Sequence, residues 1–179
     1  MHQEKLHPTG LMIEKNEEYK IIDDFLSIAE YENCWNYVQN VATYQAGEKD
    51  HHFSYKIGMV HELNTQYGET FKLFPKHIHG SKLQRAYINF YAPREISAFH
   101  TDSHDPDAYT MLYYPCPTYE LDEGGETQLI INDEIFGVRS KTNRLLIFKS
   151  DIMHRATPFK THQRYTVALK YTNHADTGY

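Results

Sequence analysis

From residue 83 onward the chain is a succession of short runs rich in Tyr, Ile, Leu, Phe and Thr, and no other feature limits its fold so strongly. The runs cover roughly 84–92, 96–102, 109–115, 126–132, 134–139, 143–148, 152–156 and 163–172. Turn residues separate them: Pro93, Asp105-Pro106, Gly124-Gly125, Asn132-Asp133 and Thr157-Pro158. Such close spacing favours an all-β sandwich or barrel over βαβ units. Eight antiparallel strands in two facing sheets make a jelly roll, so the expected fold is mainly β with a small-molecule site at its mouth.

The N-terminal part reads differently. Residues 1–18 are polar and unpatterned, a tail or edge element. Tyr19 to Ile22 reads as a short strand. Ser27 followed by Glu30 fits a capping box, in which the hydroxyl accepts from a free backbone N–H and the carboxylate reaches back. Ile28, Ala29, Trp35, Val38 and Ala42 then recur near a 3.6-residue period, with Cys34 and Val41 beside them, which predicts a helix over 28–42 covering one sheet face. Residues 43–82 hold His51, His52, His61, His77 and His79 with little periodicity; short elements are expected there, part of them a lid over a site. Residues 19–179 read as one domain with its β core at about 84–172.

Composition excludes several classes. Forty per cent of the 179 residues are apolar and 14% aromatic, enough for a sizeable core and too many for disorder. No apolar run approaches the ~18 residues of a membrane helix, and the first ten residues lack the apolar stretch of a secretory signal. Two cysteines, Cys34 and Cys116, make no disulfide framework, which points to a reducing cytoplasm. The net charge of −6 argues against a general nucleic-acid binder. Between Arg139 and Lys170, however, eight basic residues stand against the single acid Asp151. That stretch either shows lysines to solvent or builds a positive pocket for small anions.

The chemistry-bearing residues begin with His100-Thr101-Asp102. Residues two apart on a strand share a side, so His100 and Asp102 can hold one metal ion together. A third ligand must come from another strand, and His154 stands beyond the apolar run Leu145-Leu146-Ile147-Phe148. Two neutral imidazoles and one carboxylate leave three positions open on an octahedral metal, the arrangement of non-haem Fe(II) oxygenases. A structural zinc site would close its shell, usually with cysteine. Ten residues past His154 comes Arg164, whose planar fork matches a carboxylate, with the Thr166 hydroxyl on the same side. Together they suit the distal carboxylate of a dicarboxylic acid whose other end chelates the metal.

In this order the residues resemble the Fe(II)- and 2-oxoglutarate-dependent dioxygenases, especially the prolyl 4-hydroxylase-like branch. Tyr91 is similar to the tyrosine of that family's first core strand, His100-Thr101-Asp102 to its H-x-D, and Leu112-Tyr113-Tyr114 to its aromatic strand. Gly124-Gly125-Glu126-Thr127 resembles its G-G-E-T, Asn143 to Phe148 its approach to the distal histidine His154, and Arg164-Tyr165-Thr166 its R-x-[ST]. The resemblance spans 87–171, and Ile22-Asp23-Asp24-Phe25-Leu26-Ser27 is similar to the family's N-terminal entry. It implies a double-stranded β-helix (jelly roll, cupin-like) with a supporting N-terminal helix. It also implies Fe(II), 2-oxoglutarate and O2 as cofactors, with ascorbate in assays, and release of succinate and CO2 as a substrate is hydroxylated. By the same resemblance His100, Asp102 and His154 bind iron, Arg164, Thr166, Tyr114 and Tyr91 hold 2-oxoglutarate, and the substrate is a prolyl residue in a peptide or protein.

Retention of Asp102 argues against a halogenase. Lys170 stands where the nucleobase-repair branch carries a second arginine, which argues against nucleic-acid demethylation. Pro115-Cys116 replaces the Leu-Asn that often follows the tyrosine pair. Tyr87 and Asn89 alternate with Tyr91 and share its face, as substrate contacts or interior packing. Arg155 should point away from the metal if its strand is regular, and is kept as a substrate or surface residue. Three alternatives stay open: a hydroxylase of a free amino acid or other small metabolite, a non-catalytic jelly-roll protein that binds a metal or ligand, and a cupin-type hydrolase or isomerase.

Overall fold

A computed structural model describes Ile13 and residues 17–46, 57–63, 73–75 and 77–172. His51 and His52, and much of the segment expected to form a lid, lie outside these residues. The chain enters through β1 (Tyr19–Ile22) and α1 (Ile28–Asn36). The Ser27 capping box is present: its Oγ accepts from the Glu30 N–H and the Glu30 carboxylate accepts from the Ser27 N–H. The helix does not run regularly to Ala42. After Asn36 it widens into one π-helical turn, Tyr37–Val41, closed by the Ala42 N–H to Tyr37 O bond at 2.9 Å. Its covered stripe is also narrower than the periodicity suggests. Cys34 and Val38 are buried, Tyr31 and Trp35 pack beside them, and Ile28 and Val41 face solvent.

Then follow β2 (Gln45–Ala46), β3 (Met59–Leu63), β4 (His77–Ile78), β5 (Ser81–Tyr91), β6 (Tyr109–Tyr114), β7 (Thr127–Ile131), β8 (Glu134–Val138), β9 (Arg144–Lys149), β10 (His154–Ala156) and β11 (Arg164–Thr172). All pairings are antiparallel. The large sheet runs β1-β9-β6-β11-β5-β3-β2, with β4 also on β5; the small sheet runs β10-β7-β8. The architecture is the expected jelly roll, with one supporting α-helix among the described residues.

Seven of the eight runs are strands; 96–102 is not. Only His100 bridges to β10, through reciprocal bonds with His154 at 2.9 and 2.8 Å. Before it the Ser97 hydroxyl takes the Ala156 N–H that a ladder carbonyl would accept, and after it the Asp102 and Ser103 N–H groups both turn to Ser150 O. The backbone thus changes neighbours at His100 instead of extending a ladder.

Side-chain alternation in the large sheet makes two cores. One, between sheet and helix, contains Ala86, Ile88, Met111, Tyr113, Leu145, Ile147, Val167 and Leu169 with Cys34 and Val38. The other fills the space between the two sheets with Leu112, Tyr114, Leu129, Val138, Leu146, Phe148 and Ala168. No helix among the described residues is long and apolar enough to cross a membrane.

Candidate active site

The pocket between the sheets has a cavity of about 80 Å³, walled by Tyr87, Asn89 and Tyr91 of β5, Arg164, Thr166 and Lys170 of β11, and His100, Thr127 and His154. The β5–β11 register sets Tyr91 opposite Arg164 and Asn89 opposite Thr166, so strict alternation delivers all of them to one face.

His100, Asp102 and His154 each bring one ligand atom into a group spanning at most 4.8 Å. Asp102 Oδ1 is 3.7 Å from His100 Nε2, and its Oδ2 is 3.3 Å from His154 Nε2. The Nδ1 atoms of His100 and His154 lie 3.1 and 2.8 Å from the carbonyls of Ala98 and Ile152. Donation there fixes the tautomer and leaves both Nε2 lone pairs facing inward, as metal-binding histidines require. Burial opposes ionisation of Asp102, but the Lys170 ammonium and His154 outweigh it and hold the carboxyl well below its usual range. Two imidazole nitrogens and one carboxylate oxygen suit a divalent first-row metal. The His100 side chain is 50% exposed and that of His154 6%, so this corner opens to solvent past His100.

Arg164 is 1% exposed and has no carboxylate partner among the described residues. Its Nε donates to Gly125 O at 3.0 Å and one terminal nitrogen donates to Thr127 Oγ1 at 2.9 Å. The remaining N–H groups are available to an anion in the pocket. The Gly124-Gly125 turn makes the carbonyl contact possible. Gly125 has φ +78°, and a Cβ there would lie 2.0 Å from the Phe159 ring. Tyr114 stands behind this layer: it is fully buried, its hydroxyl donates to Thr127 Oγ1 at 2.7 Å, and it is not among the cavity-lining residues.

The Arg155 guanidinium is held by Gln128, with Nε to Oε1 at 2.8 Å, and lies over the Phe99 ring. Gln128 is its ladder partner, on the side of β10 opposite His154, although Arg155 also contributes to the cavity wall. His104 is exposed. Cys34 and Cys116 are free and buried, and burial pushes their thiols up to about 12 and about 11, the surroundings of structural cysteines. The basic stretch divides between the two readings. Lys141 and Arg144 pair with Asp23 at the surface, while Arg164 and Lys170 enter the pocket.

Sequence reasoning missed the roles of Thr110, Thr127 and Lys170. Thr127 Oγ1 accepts from both Arg164 and Tyr114, and Lys170 and Thr110 both meet Asp102 Oδ2. The signal for Lys170 was the two-residue period itself, since Arg164 and Thr166 already mark that face of β11.

With this geometry in place, the sequence match decides the family. The 2OG-Fe(II) oxygenase superfamily matches residues 86–177, just over half of the chain. The chain belongs to that superfamily. Membership implies Fe(II), 2-oxoglutarate and O2 as the cofactors of this oxygenase, and the His-Asp-His group provides a place for the metal. No protein of curated function matches the sequence. Among solved structures, a prolyl hydroxylase from Trichoplax adhaerens, in complex with a hypoxia inducible factor oxygen degradation domain peptide fragment, has a TM-score of 0.69 at 16% identity; 93% of this chain and 87% of that one are covered. A Pseudomonas putida prolyl-4-hydroxylase has a TM-score of 0.68 at 12% identity, covering 93% and 97%. HygX from Streptomyces hygroscopicus, with nickel, 2-oxoglutarate and hygromycin B bound, has 0.66 at 11%, covering 87% and 82%. At these identities the likeness establishes the fold.

Proposed function

We propose that the chain is an Fe(II)- and 2-oxoglutarate-dependent hydroxylase in which His100, Asp102 and His154 hold the iron. Arg164, with Thr166 and Tyr91 beside it, receives the distal carboxylate of 2-oxoglutarate, and Tyr114 supports it through Thr127. The observation that carries this reading is the pairing, in one pocket, of a two-histidine, one-carboxylate group with a buried guanidinium that has no acidic partner among the described residues. A buried unpaired cation is costly, so the pocket is built for an anion. The bound metal would supply oxidation of the substrate coupled to breakdown of 2-oxoglutarate to succinate and CO2; the protein's part is to hold both in fixed orientation.

The substrate in this reading is a prolyl residue in a peptide or protein, in line with the names of two similar folds. A second reading, a free amino acid or other small metabolite, is favoured by the small cavity with a charged Lys170 in its wall. Tyr87 and Asn89 are the proposed substrate contacts, with Arg155 at the margin. Succinate release measured with Fe(II), 2-oxoglutarate and ascorbate tests the chemistry even without the right substrate. A panel of proline peptides and free amino acids, scored by stimulation of that release, separates the two substrate readings. Absence of any Fe(II)-dependent succinate, with or without the panel, would reject the enzyme in favour of a non-catalytic binding protein. Turnover that needs neither O2 nor 2-oxoglutarate would favour the cupin-type hydrolase.

A further inference from the structure

The two oxygens of Asp102 have unequal surroundings. Oδ2 accepts from Thr110 Oγ1 at 2.6 Å and from the Lys170 ammonium. Oδ1 accepts no hydrogen bond among the described residues and lies 3.7 Å from His100 Nε2, while Oδ2 also stands 3.3 Å from His154 Nε2. Thr110 is itself fixed, 3.0 Å from Ser150 Oγ, and the Ser150 carbonyl accepts from the Asp102 N–H at 2.9 Å. Lys170 and Thr110 are ladder partners on β11 and β6, so adjacent strands aim an ammonium and a hydroxyl at the same oxygen.

A carboxylate oxygen has about two lone-pair sites, and at Oδ2 both are taken. Resting on the reading that Asp102 is a metal ligand, we propose that Thr110 and Lys170 are positioning residues that confine Asp102 to one-oxygen ligation through Oδ1. Carboxylates bind metals through one oxygen or two. Two-oxygen binding would occupy one more of the positions that a chelating cosubstrate and dioxygen need. The ammonium gives the restraint its strength, because a charge-assisted hydrogen bond is roughly twice as strong as a neutral one. Lys170 thus acts on the open side of the coordination sphere through its bond to Asp102.

The test uses Co(II) in place of iron, since its visible absorption reports coordination number, and titration of 2-oxoglutarate into the Co(II)-loaded protein. Lys170→Met should alter the band intensity and raise the 2-oxoglutarate Kd roughly tenfold, in the range for outer-sphere partners of metal ligands. Thr110→Val should move both readouts the same way, while Thr110→Ser, which keeps the hydroxyl, should stay within about twofold of the parent protein. Parent-like spectra and affinities in both Lys170→Met and Thr110→Val overturn the proposal. If Lys170→Met does not fold, as circular dichroism would show, the Thr110→Val and Thr110→Ser pair decides alone. A parent protein that binds neither Co(II) nor 2-oxoglutarate overturns the metal-site reading, and the positioning role with it.

Discussion

Along β11 the side chains alternate between two environments. Tyr165, Val167, Leu169 and Tyr171 join the core under the helix, while Arg164, Thr166, Ala168 and Lys170 face the space between the sheets. The first set is held by burial of apolar surface, which is non-directional and tolerant of similar shapes. Charge is stationed only on the second face, where each group is placed by specific partners: Arg164 by Gly125 and Thr127, Lys170 by Asp102. One face therefore sets whether the sheet persists, the other what it can bind, and substitutions should separate the two.

The largest separation is expected at His154. His154→Ala should abolish metal binding and lower Fe(II)-dependent succinate release by more than roughly 100-fold, beyond the range for outer-sphere partners, with an unchanged circular dichroism spectrum. Activity retained in that variant would remove the residue from the site. The mirror experiment is Leu169→Ala, at a fully buried position under the helix. It should cost about 2–5 kcal/mol in urea unfolding while leaving the 2-oxoglutarate Kd of the folded protein in place. A matching loss of affinity would show that the two faces are coupled rather than independent.

A smaller effect within the polar face is expected at Thr127. Thr127→Val strips the acceptor from both the Arg164 guanidinium and the Tyr114 hydroxyl. Leaving buried donors unsatisfied costs about 1–3 kcal/mol, so the KM for 2-oxoglutarate should rise about tenfold or more with little change in kcat. A fall in kcat at constant KM would mean that Thr127 acts on the reacting end instead.

The same comparison explains what was legible in the sequence. Period-2 patterning located the strands and both faces of β5 and β11, and residue chemistry singled out His100, Asp102, His154 and Arg164, which the fold brings together at one pocket. What the pattern could not supply was pairing between distant segments. Thr110 and Thr127 read as ordinary strand threonines until the fold sets them beside Asp102 and Arg164. Segment 96–102 has strand composition, yet its own Ser97 hydroxyl accepts the Ala156 N–H, and the Asp102 and Ser103 N–H groups go to a turn carbonyl, that of Ser150. The π-helical turn after Asn36 likewise has no local residue that announces it.

The smallest effect belongs to a charge pair outside both faces. Asp23, just past β1, accepts from Arg144 Nε at 2.7 Å and from Lys141 Nζ at 2.9 Å, clasping the edge strand β1 to the start of β9. The Arg144 hydrogen bond leads in holding the carboxyl down to about 2. An unfolded aspartate titrates near ~3.9. The folded value is the lower one, so the contribution is fully present above about pH 4 and fades as pH falls toward 2. Because the Asp23 side chain is 36% exposed, solvent screening limits that contribution to well under about 1 kcal/mol. Asp23→Asn should therefore lower the urea midpoint slightly at pH 7, and the gap from the parent protein should close near pH 2. A gap that persisted in acid would trace to lost packing of β1 on β9 rather than to charge.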